Sequence, residues 1–201
     1  MLQCLENQMS TPMLLNILDF VHTTIRQVVQ AGDTVIDATA GNGYDTLFLA
    51  SCVGSTGKVV AFDIQPAAIA STRAKLESAG MSDWVDLIQT GHEHMNEYIK
   101  SDVRAIMFNL GYLPGADKNF TTTAITTLKA MQAGLAHLVP DGILAVVIYP
   151  GHEQGKIEAE AVLSWAEELP QQQISVLQYA FINRVHDAPL LYSYKSAIKK
   201  L

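Results

Sequence analysis

"VIDATAGNGYDTLFLA", which spans Val35–Ala50, joins an apolar run to a helical pattern through a turn with two glycines. The apolar run ends at Asp37, and Gly41 and Gly43 let the backbone turn sharply and approach a ligand closely. In open α/β sheets, ligands bind beyond the carboxyl ends of the strands, beside turns of this kind. The stretch therefore predicts the first strand of a parallel sheet followed by a cofactor-binding loop.

Strand patterns and helix patterns alternate outward from this turn. The predicted strands are Thr34–Ala38, Lys58–Asp63, Trp84–Gln89, Val103–Asn109, Gly142–Tyr149, Ile174–Phe181 and Leu190–Lys195. The predicted helices are one capped by Thr11 and Pro12 with apolar residues Leu14, Leu18, Val21, Ile25 and Val28, one carrying Leu47–Ala50, and Pro66–Gly80, Thr121–Leu138 and Gly155–Leu169. This alternation predicts a mostly parallel sheet with helices on both faces.

The end of the chain departs from the alternation. About eight residues separate the last two predicted strands, whereas a parallel crossover needs roughly a dozen, so these strands are predicted to form an antiparallel hairpin. A seven-stranded, mostly parallel sheet with such a hairpin resembles the class I methyltransferase architecture, the Rossmann-like fold that binds S-adenosylmethionine.

Composition limits the function classes. The 201 residues predict one domain, 1–201, and the net charge of −7 argues against broad electrostatic binding of nucleic acid. No apolar run is long enough to span a bilayer, and the N-terminal residues lack the pattern of a signal peptide, so a cytoplasmic protein without membrane contact is expected. Cys4 and Cys52 match no metal-binding spacing, so no metal is expected.

Acidic residues around the glycine turn indicate which cofactor it binds. Thr46 stands where the dinucleotide fingerprint has its third glycine, and Asp37 and Asp45 suit an ammonium and a sulfonium better than a pyrophosphate. Asp63 ends the second strand, where it can accept the ribose hydroxyls or instead cap the helix at Pro66, and Asp37 can instead stabilise the turn. The predicted cofactor-binding residues are Asp37, Thr39, Gly41, Asn42, Gly43, Asp45, Thr46, Asp63, Gln65, His92, Glu93 and Asn109.

"MFNLGYLPGADK", Met107–Lys118, follows the fourth strand and places Asn109 at the strand end. The order Asn109-Leu110-Gly111-Tyr112 is similar in outline to the [DN]-P-P-[YF] signature of amino-group methyltransferases, in which an amide carbonyl holds the attacking nitrogen. Since the methyl donor is already activated, positioning supplies most of the catalysis.

Three segments occur together, in this order, in one family: "DATAGNGYDTLFLA", "MFNLGYLPGADK" and "YPGHEQGKIEAEAV". From about Asp33 to Lys195 the chain resembles the bacterial tRNA 5-aminomethyl-2-thiouridine methyltransferases (MnmM type), first labelled rRNA methylases. Tyr44 stands where that family usually has histidine, and Ala116 where it usually has glycine.

The resemblance implies methyl transfer from S-adenosylmethionine to the primary amine of 5-aminomethyl-2-thiouridine at the tRNA wobble position. The residues expected to be catalytic are Asn109, Asp117, Tyr149 and His152, with Asp117 and His152 as candidates for handling the proton and Tyr149 for contacting the flipped base. Expected substrate-binding residues are Tyr112, Lys118 and Arg184, and Arg104 and the C-terminal lysines could add to a small basic rim for the anticodon loop.

Alternatives remain open at this point. The acidic charge favours a methyltransferase of a small-molecule amine, and an rRNA acceptor also fits the resemblance. An NAD-dependent oxidoreductase is opposed by Thr46 and the terminal hairpin, and a binding protein would not depend on Asn109 for its function. The apolar N-terminal helix fits either a cover for the sheet or the contact of a homodimer.

Overall fold

A seven-stranded sheet lies at the centre of the computed structural model, which describes residues 14–111, 122–184 and 188–197. The strands are β1 Thr34–Asp37, β2 Lys58–Asp63, β3 Val85–Gln89, β4 Val103–Asn109, β5 Leu138–Ile148, β6 Ile174–Ala180 and β7 Leu190–Ser196. Their order across the sheet is β3-β2-β1-β4-β5-β7-β6. β1 to β5 pair in parallel, whereas β7 is antiparallel to both β5 and β6, which confirms the predicted terminal hairpin.

Helices cover both faces of the sheet. They are α1 Ile17–Val28, α2 Tyr44–Val53, α3 Pro66–Ala79, α4 Ala124–His137 and α5 Glu153–Glu167, with 3-10 turns at Gly54–Thr56, Ser82–Trp84 and His92–Glu97. One apolar core joins α1, α2 and α3 to one sheet face, and the other joins α4, α5 and the His92–Glu97 turn to the opposite face. Within the described ranges, no helix is long and apolar enough to cross a membrane.

The N-terminal helix begins later than predicted. Thr11 and Pro12 lie outside the described residues, and α1 begins at Ile17, where the Asn16 side chain accepts the Asp19 N–H at 2.9 Å. Leu14, predicted on the apolar face, precedes the helix and is 66% exposed. The buried stripe is Ile17, Val21 and Ile25, and it packs on the sheet. Of the two predicted roles for this helix, the structure shows that it covers the sheet.

Other boundaries differ by a few residues. β5 is predicted to start at Gly142 but starts at Leu138, which pairs with Val103 before a register shift in the β4–β5 ladder. α4 starts after Thr123, whose hydroxyl accepts the Thr126 N–H, rather than at Thr121, which lies outside the described residues. Pairing and capping therefore move element ends that hydrophobic patterns place only approximately.

The strand order creates a switch point between β1 and β4, because the chain proceeds from β1 to β2 on one side and places β4 on the other. The carboxyl ends of these two strands adjoin, and the Ala38 N–H donates to the Met107 carbonyl at 2.8 Å. Ligands of open α/β sheets bind at such a point. Asp37 and Asn109 both end strands here, so the fold brings two predicted site residues to one edge.

Candidate active site

The glycine turn between β1 and α2 has the backbone that its sequence predicts. Gly41 and Gly43 have φ angles of 51° and 81°, a region that residues with a Cβ rarely adopt. A Cβ on Gly43 would lie 2.8 Å from Cα of Thr72 in α3. The Thr72 hydroxyl also donates to the Gly41 carbonyl at 3.0 Å. The turn is therefore closely packed against α3 and has no room for a side chain at Gly43.

Asp37 lies fully buried beneath this turn. Its carboxylate accepts the Thr39 N–H at 3.1 Å and the Thr46 hydroxyl at 2.5 Å. Burial, and next the negative charge of Asp45, raise the pKa of Asp37 to about 7. These contacts correspond to the turn-stabilising alternative considered for Asp37, and its contact with a cofactor stays a prediction.

Asp63 connects the turn to the start of α3. Its two carboxylate oxygens accept the Gly41 N–H at 2.9 Å and the Gln65 N–H at 2.8 Å. The N-cap position of α3 is Gln65, so Asp63 supports the approach to the helix rather than occupying its cap. Each carboxylate oxygen has a second lone pair, so these bonds leave capacity for ribose hydroxyls.

His92 presents a buried acceptor near the same edge. Its Nδ1 lies 3.2 Å from the Ala38 carbonyl, which can only accept, and burial lowers the pKa of the imidazole. The neutral ring thus carries its proton on Nδ1 and a lone pair on Nε2. Within the part of the chain that the structure describes, Nε2 is buried and has no hydrogen-bond partner. A donor such as the exocyclic amine of adenine fits this atom.

Asn109 is fixed at both its backbone and its side chain. Its N–H donates to the Thr39 hydroxyl at 2.7 Å, and its Nδ2 donates to Asp45 Oδ2 at 3.0 Å. Asp45 lies in the first turn of α2, where the helix dipole favours a negative charge. Its other oxygen, Oδ1, is 2.8 Å from Nε2 of His22 on α1. Asp45 thus links two helices to the end of β4.

Tyr149 and His152 follow β5 at the same edge. Burial and the Asp45 charge raise the pKa of the half-buried Tyr149 phenol, so this hydroxyl stays protonated and can donate a hydrogen bond. His152 is the N-cap of α5, and its Nδ1 accepts the Gly155 N–H at 3.0 Å. While that bond stands, the Nδ1 lone pair is engaged, so the role of His152 in taking a proton stays a prediction.

The predicted residues fall into four groups. Most lie at or after the carboxyl ends of β1 to β5, and these are Asp37, Thr39, Gly41, Asn42, Gly43, Asp45, Thr46, Asp63, Gln65, His92, Glu93, Asn109, Tyr149 and His152. Arg184 follows β6, is exposed, and places its guanidinium 4.2 Å from the ring centre of Phe181. Tyr112, Asp117 and Lys118 lie outside the described residues. Arg104 and Lys195, predicted to add to the basic rim, lie instead at the opposite edge of the sheet, where they contact Asp33 and Asp141.

Two residues at the site were not predicted. His22 meets Asp45 across 23 positions of sequence, and no local pattern marks such a contact. Glu158, buried on α5, accepts the hydroxyls of Thr122 at 2.9 Å and Thr127 at 2.6 Å. Its only sequence signal is its place in the "YPGHEQGKIEAEAV" segment.

The acidic residues, the close-packed glycine turn and the unpartnered His92 acceptor fit S-adenosylmethionine, which carries an ammonium, a sulfonium and an adenosine.

The chain is similar to solved structures over most of its length. It shares 44% identity and a TM-score of 0.90 with a structure titled a putative rRNA-methylase from Clostridium thermocellum, covering 91% of this chain and 98% of that one. With a structure from Streptococcus mutans, titled a putative methyltransferase in complex with SAH, it shares 37% identity and a TM-score of 0.84, covering 92% and 99%.

A plant protein is similar to most of this chain. The "tRNA (mnm(5)s(2)U34)-methyltransferase, chloroplastic" of Arabidopsis thaliana is 38% identical over 187 residues, which are 88% of this chain and 68% of that protein.

Fold and site together define an S-adenosylmethionine-dependent methyltransferase of class I. The profile of the family described as "Putative rRNA methylase" matches residues 59–195. The chain belongs to this family of RNA-methylating enzymes.

Proposed function

We propose that the protein transfers a methyl group from S-adenosylmethionine to the primary amine of 5-aminomethyl-2-thiouridine at the wobble position of tRNA. Two observations support this proposal: the similarity to the Arabidopsis tRNA methyltransferase, and the placement of Asn109 at the end of β4. The Asn109 geometry carries the argument, because it supplies an acceptor for an amine at the switch point.

The cofactor would be held by the loop after β1 together with Asp63 and His92. When bound, S-adenosylmethionine supplies an electrophilic methyl group on a sulfonium. Asp63 has lone pairs for ribose hydroxyls, and His92 Nε2 has one for a purine amine. The Asp45 carboxylate provides negative potential for the cationic groups, and Asp37 adds to it at pH values above about 7, where it is mostly ionised.

Asn109 would orient the acceptor nitrogen. Because its Nδ2 donates to Asp45, its Oδ1 is directed to the other side of the amide and can accept an N–H of the substrate amine. An amine held in this way keeps its lone pair available for the new C–N bond. Tyr149 can contact the flipped base by stacking or through its hydroxyl.

The amine must lose its proton before it reacts. A simple alkylamine has a pKa near 10.4, and each pH unit below that value costs about 1.4 kcal/mol of free energy. Asp117 and His152 remain the proposed proton acceptors. A small basic rim that includes Lys118 and Arg184 would contact the anticodon loop, so that the acidic remainder of the protein stays away from the RNA.

Nucleoside mass spectrometry tests the proposal. We expect tRNA from cells that lack this protein to accumulate 5-aminomethyl-2-thiouridine, and the purified protein with S-adenosylmethionine to convert that tRNA. Asn109→Ala should lose turnover, with a much smaller change in cofactor affinity by calorimetry, whereas Asn96→Ala, at an exposed asparagine bonded to His137, should behave as wild type.

The net charge of −7 favours a second acceptor, a small-molecule amine, and the family description favours rRNA. An unchanged tRNA nucleoside profile would contradict the tRNA proposal. Turnover of free amines or of rRNA by the same preparation would then identify the alternative.

A further inference from the structure

The Asp45 carboxylate joins side chains of three elements through hydrogen bonds. Its Oδ1 is 2.8 Å from Nε2 of His22 on α1, and its Oδ2 is 3.0 Å from Nδ2 of Asn109 at the end of β4. Asp45 itself is buried in the first turn of α2. A residue of the first helix thus reaches, through one carboxylate, the side chain that would meet the substrate.

The chemistry of these groups fixes their orientation. An ionised carboxylate only accepts hydrogen bonds, so both of its partners must donate. His22 therefore carries a proton on Nε2, and the Asn109 amide points its nitrogen toward Asp45. If Asp45 turned away, the Asn109 amide could rotate and present its N–H groups to the substrate amine. These groups would donate to the lone pair of the amine and so engage the electrons that the new C–N bond requires.

His22 is itself held in place. Its ring stacks on Phe48 of α2 with ring centres 3.9 Å apart and planes 15° apart. Val21 and Ile25, on either side of it along α1, are buried in the core that covers the sheet. The imidazole consequently approaches Asp45 from a helix that is packed on the sheet, and its side chain is 24% exposed.

We propose that His22 is a positioning residue for methyl transfer: its Nε2–H holds Asp45 Oδ1, so that Asp45 Oδ2 keeps the Asn109 amide oxygen turned toward the acceptor nitrogen. The proposal rests on the proposed function, because it assigns Asn109 to an amine. It deepens that function by extending the site to α1, which no motif of the sequence includes.

Two substitutions separate the hydrogen bond from the packing. His22→Phe keeps a ring that can stack on Phe48 but removes the donor, whereas His22→Gln keeps an N–H donor near the position of Nε2. We expect His22→Phe to lower kcat by about tenfold to a hundredfold, as misplacement of a reacting group does, with little change in the KM for tRNA or in cofactor affinity. His22→Gln should restore most of kcat. His137→Phe is the matched control, because its Nε2 bonds Asn96 Oδ1 at 2.8 Å at the far end of α4.

A second readout does not depend on activity. The side-chain amide resonance of Asn109 in ¹⁵N spectra of the cofactor-free protein should shift in His22→Phe, return toward wild type in His22→Gln and remain unchanged in His137→Phe. Thermal unfolding of each variant establishes that it is folded. Wild-type kcat in His22→Phe, or an equal loss in His22→Gln, would overturn the proposal. If the wild-type protein fails to methylate tRNA, the proposed function fails instead, and an unmoved Asn109 resonance would then overturn the positioning role separately.

Discussion

Asp37 combines a structural role with an unusual acid–base property. It is fully buried, two groups donate to it, and burial with the neighbouring Asp45 and Asp63 charges raises its pKa from 3.8 to about 7. The folded protein therefore binds a proton at Asp37 at pH values where the unfolded chain does not. This difference disfavours the folded state progressively as the pH rises from about 4 to about 7.

We expect Asp37→Asn to change the pH dependence of stability. The amide cannot ionise, so relative to wild type the variant should gain about 1.4 kcal/mol of unfolding free energy per pH unit between about 4 and 7, and no more above that range. Urea unfolding at several pH values measures this gain. Asp83→Asn, at an exposed acid, is the control for removing one charge. A constant difference between Asp37→Asn and wild type across the pH range would contradict the assignment.

Site residues whose position follows from chain order are predictable from the sequence. Asp63 and Asn109 end predicted strands, and Asp37 lies one residue before the end of another. Parallel strands bring their carboxyl ends to one edge of the sheet. The contact of His22 with Asp45 is not predictable in this way, because it depends on how α1 packs beside α2. The same limit applies to Asp63, whose position was predicted but whose bond to Gly41 depends on the folded turn.

Elements differ in how far local patterns determine them. β2 and β4 have the predicted bounds, since both are apolar runs bounded by polar residues. α1 starts later than its apolar pattern suggests, because the Asn16 cap and burial of Ile17 decide its first turn. The hairpin of β6 and β7 was predictable from chain length alone, whereas the insertion of β7 between β5 and β6 follows from tertiary pairing.

Glu158 joins α5 to the chain on either side of segment 112–121. The Thr122 hydroxyl donates to Glu158 and accepts the Gly111 N–H at 3.1 Å, and the Thr122 N–H donates to the Gly111 carbonyl at 3.2 Å. Thr127 of α4 donates to the other Glu158 oxygen. Burial raises the pKa of Glu158, which the two hydroxyl donors partly offset. One buried carboxyl thereby anchors the point where the segment carrying Tyr112, Asp117 and Lys118 begins and ends.

We expect Glu158→Ala to weaken both stability and tRNA use. Loss of the carboxyl leaves two threonine hydroxyls without their acceptor and opens a cavity, which costs about 2–4 kcal/mol of unfolding free energy. If the segment contacts tRNA, the KM for tRNA should rise while the Kd for the cofactor stays unchanged. Glu158→Gln, which retains one acceptor, should recover part of both effects. Glu160→Ala, exposed on the same helix, is the control, and an equal effect there would argue against anchoring.

At the scale of the whole molecule, RNA binding must overcome an unfavourable net charge of −7. The strand directions help, because β6 runs parallel to β5 and so carries Arg184 to the same edge as Asn109 and Tyr149. A protein of this charge cannot rely on many phosphate contacts, so its affinity for tRNA should depend only weakly on salt. Each basic side chain at the edge of the sheet that carries Asn109 should then have a measurable effect on the affinity for tRNA.

We expect Arg184→Glu to lower tRNA affinity by about threefold to tenfold and to reduce the slope of log K against log salt concentration by about one, since one phosphate contact is lost. Cofactor affinity by calorimetry should not change, because Arg184 lies beyond β6, away from the loop after β1. Lys58→Glu is the matched reversal at the opposite edge, where β2 begins and Lys58 pairs with Asp86 at 2.7 Å. Equal losses of tRNA and cofactor affinity in Arg184→Glu would indicate a general disturbance of the fold. Equal losses of tRNA affinity in Arg184→Glu and Lys58→Glu would show that the RNA responds to total charge rather than to a rim around Asn109.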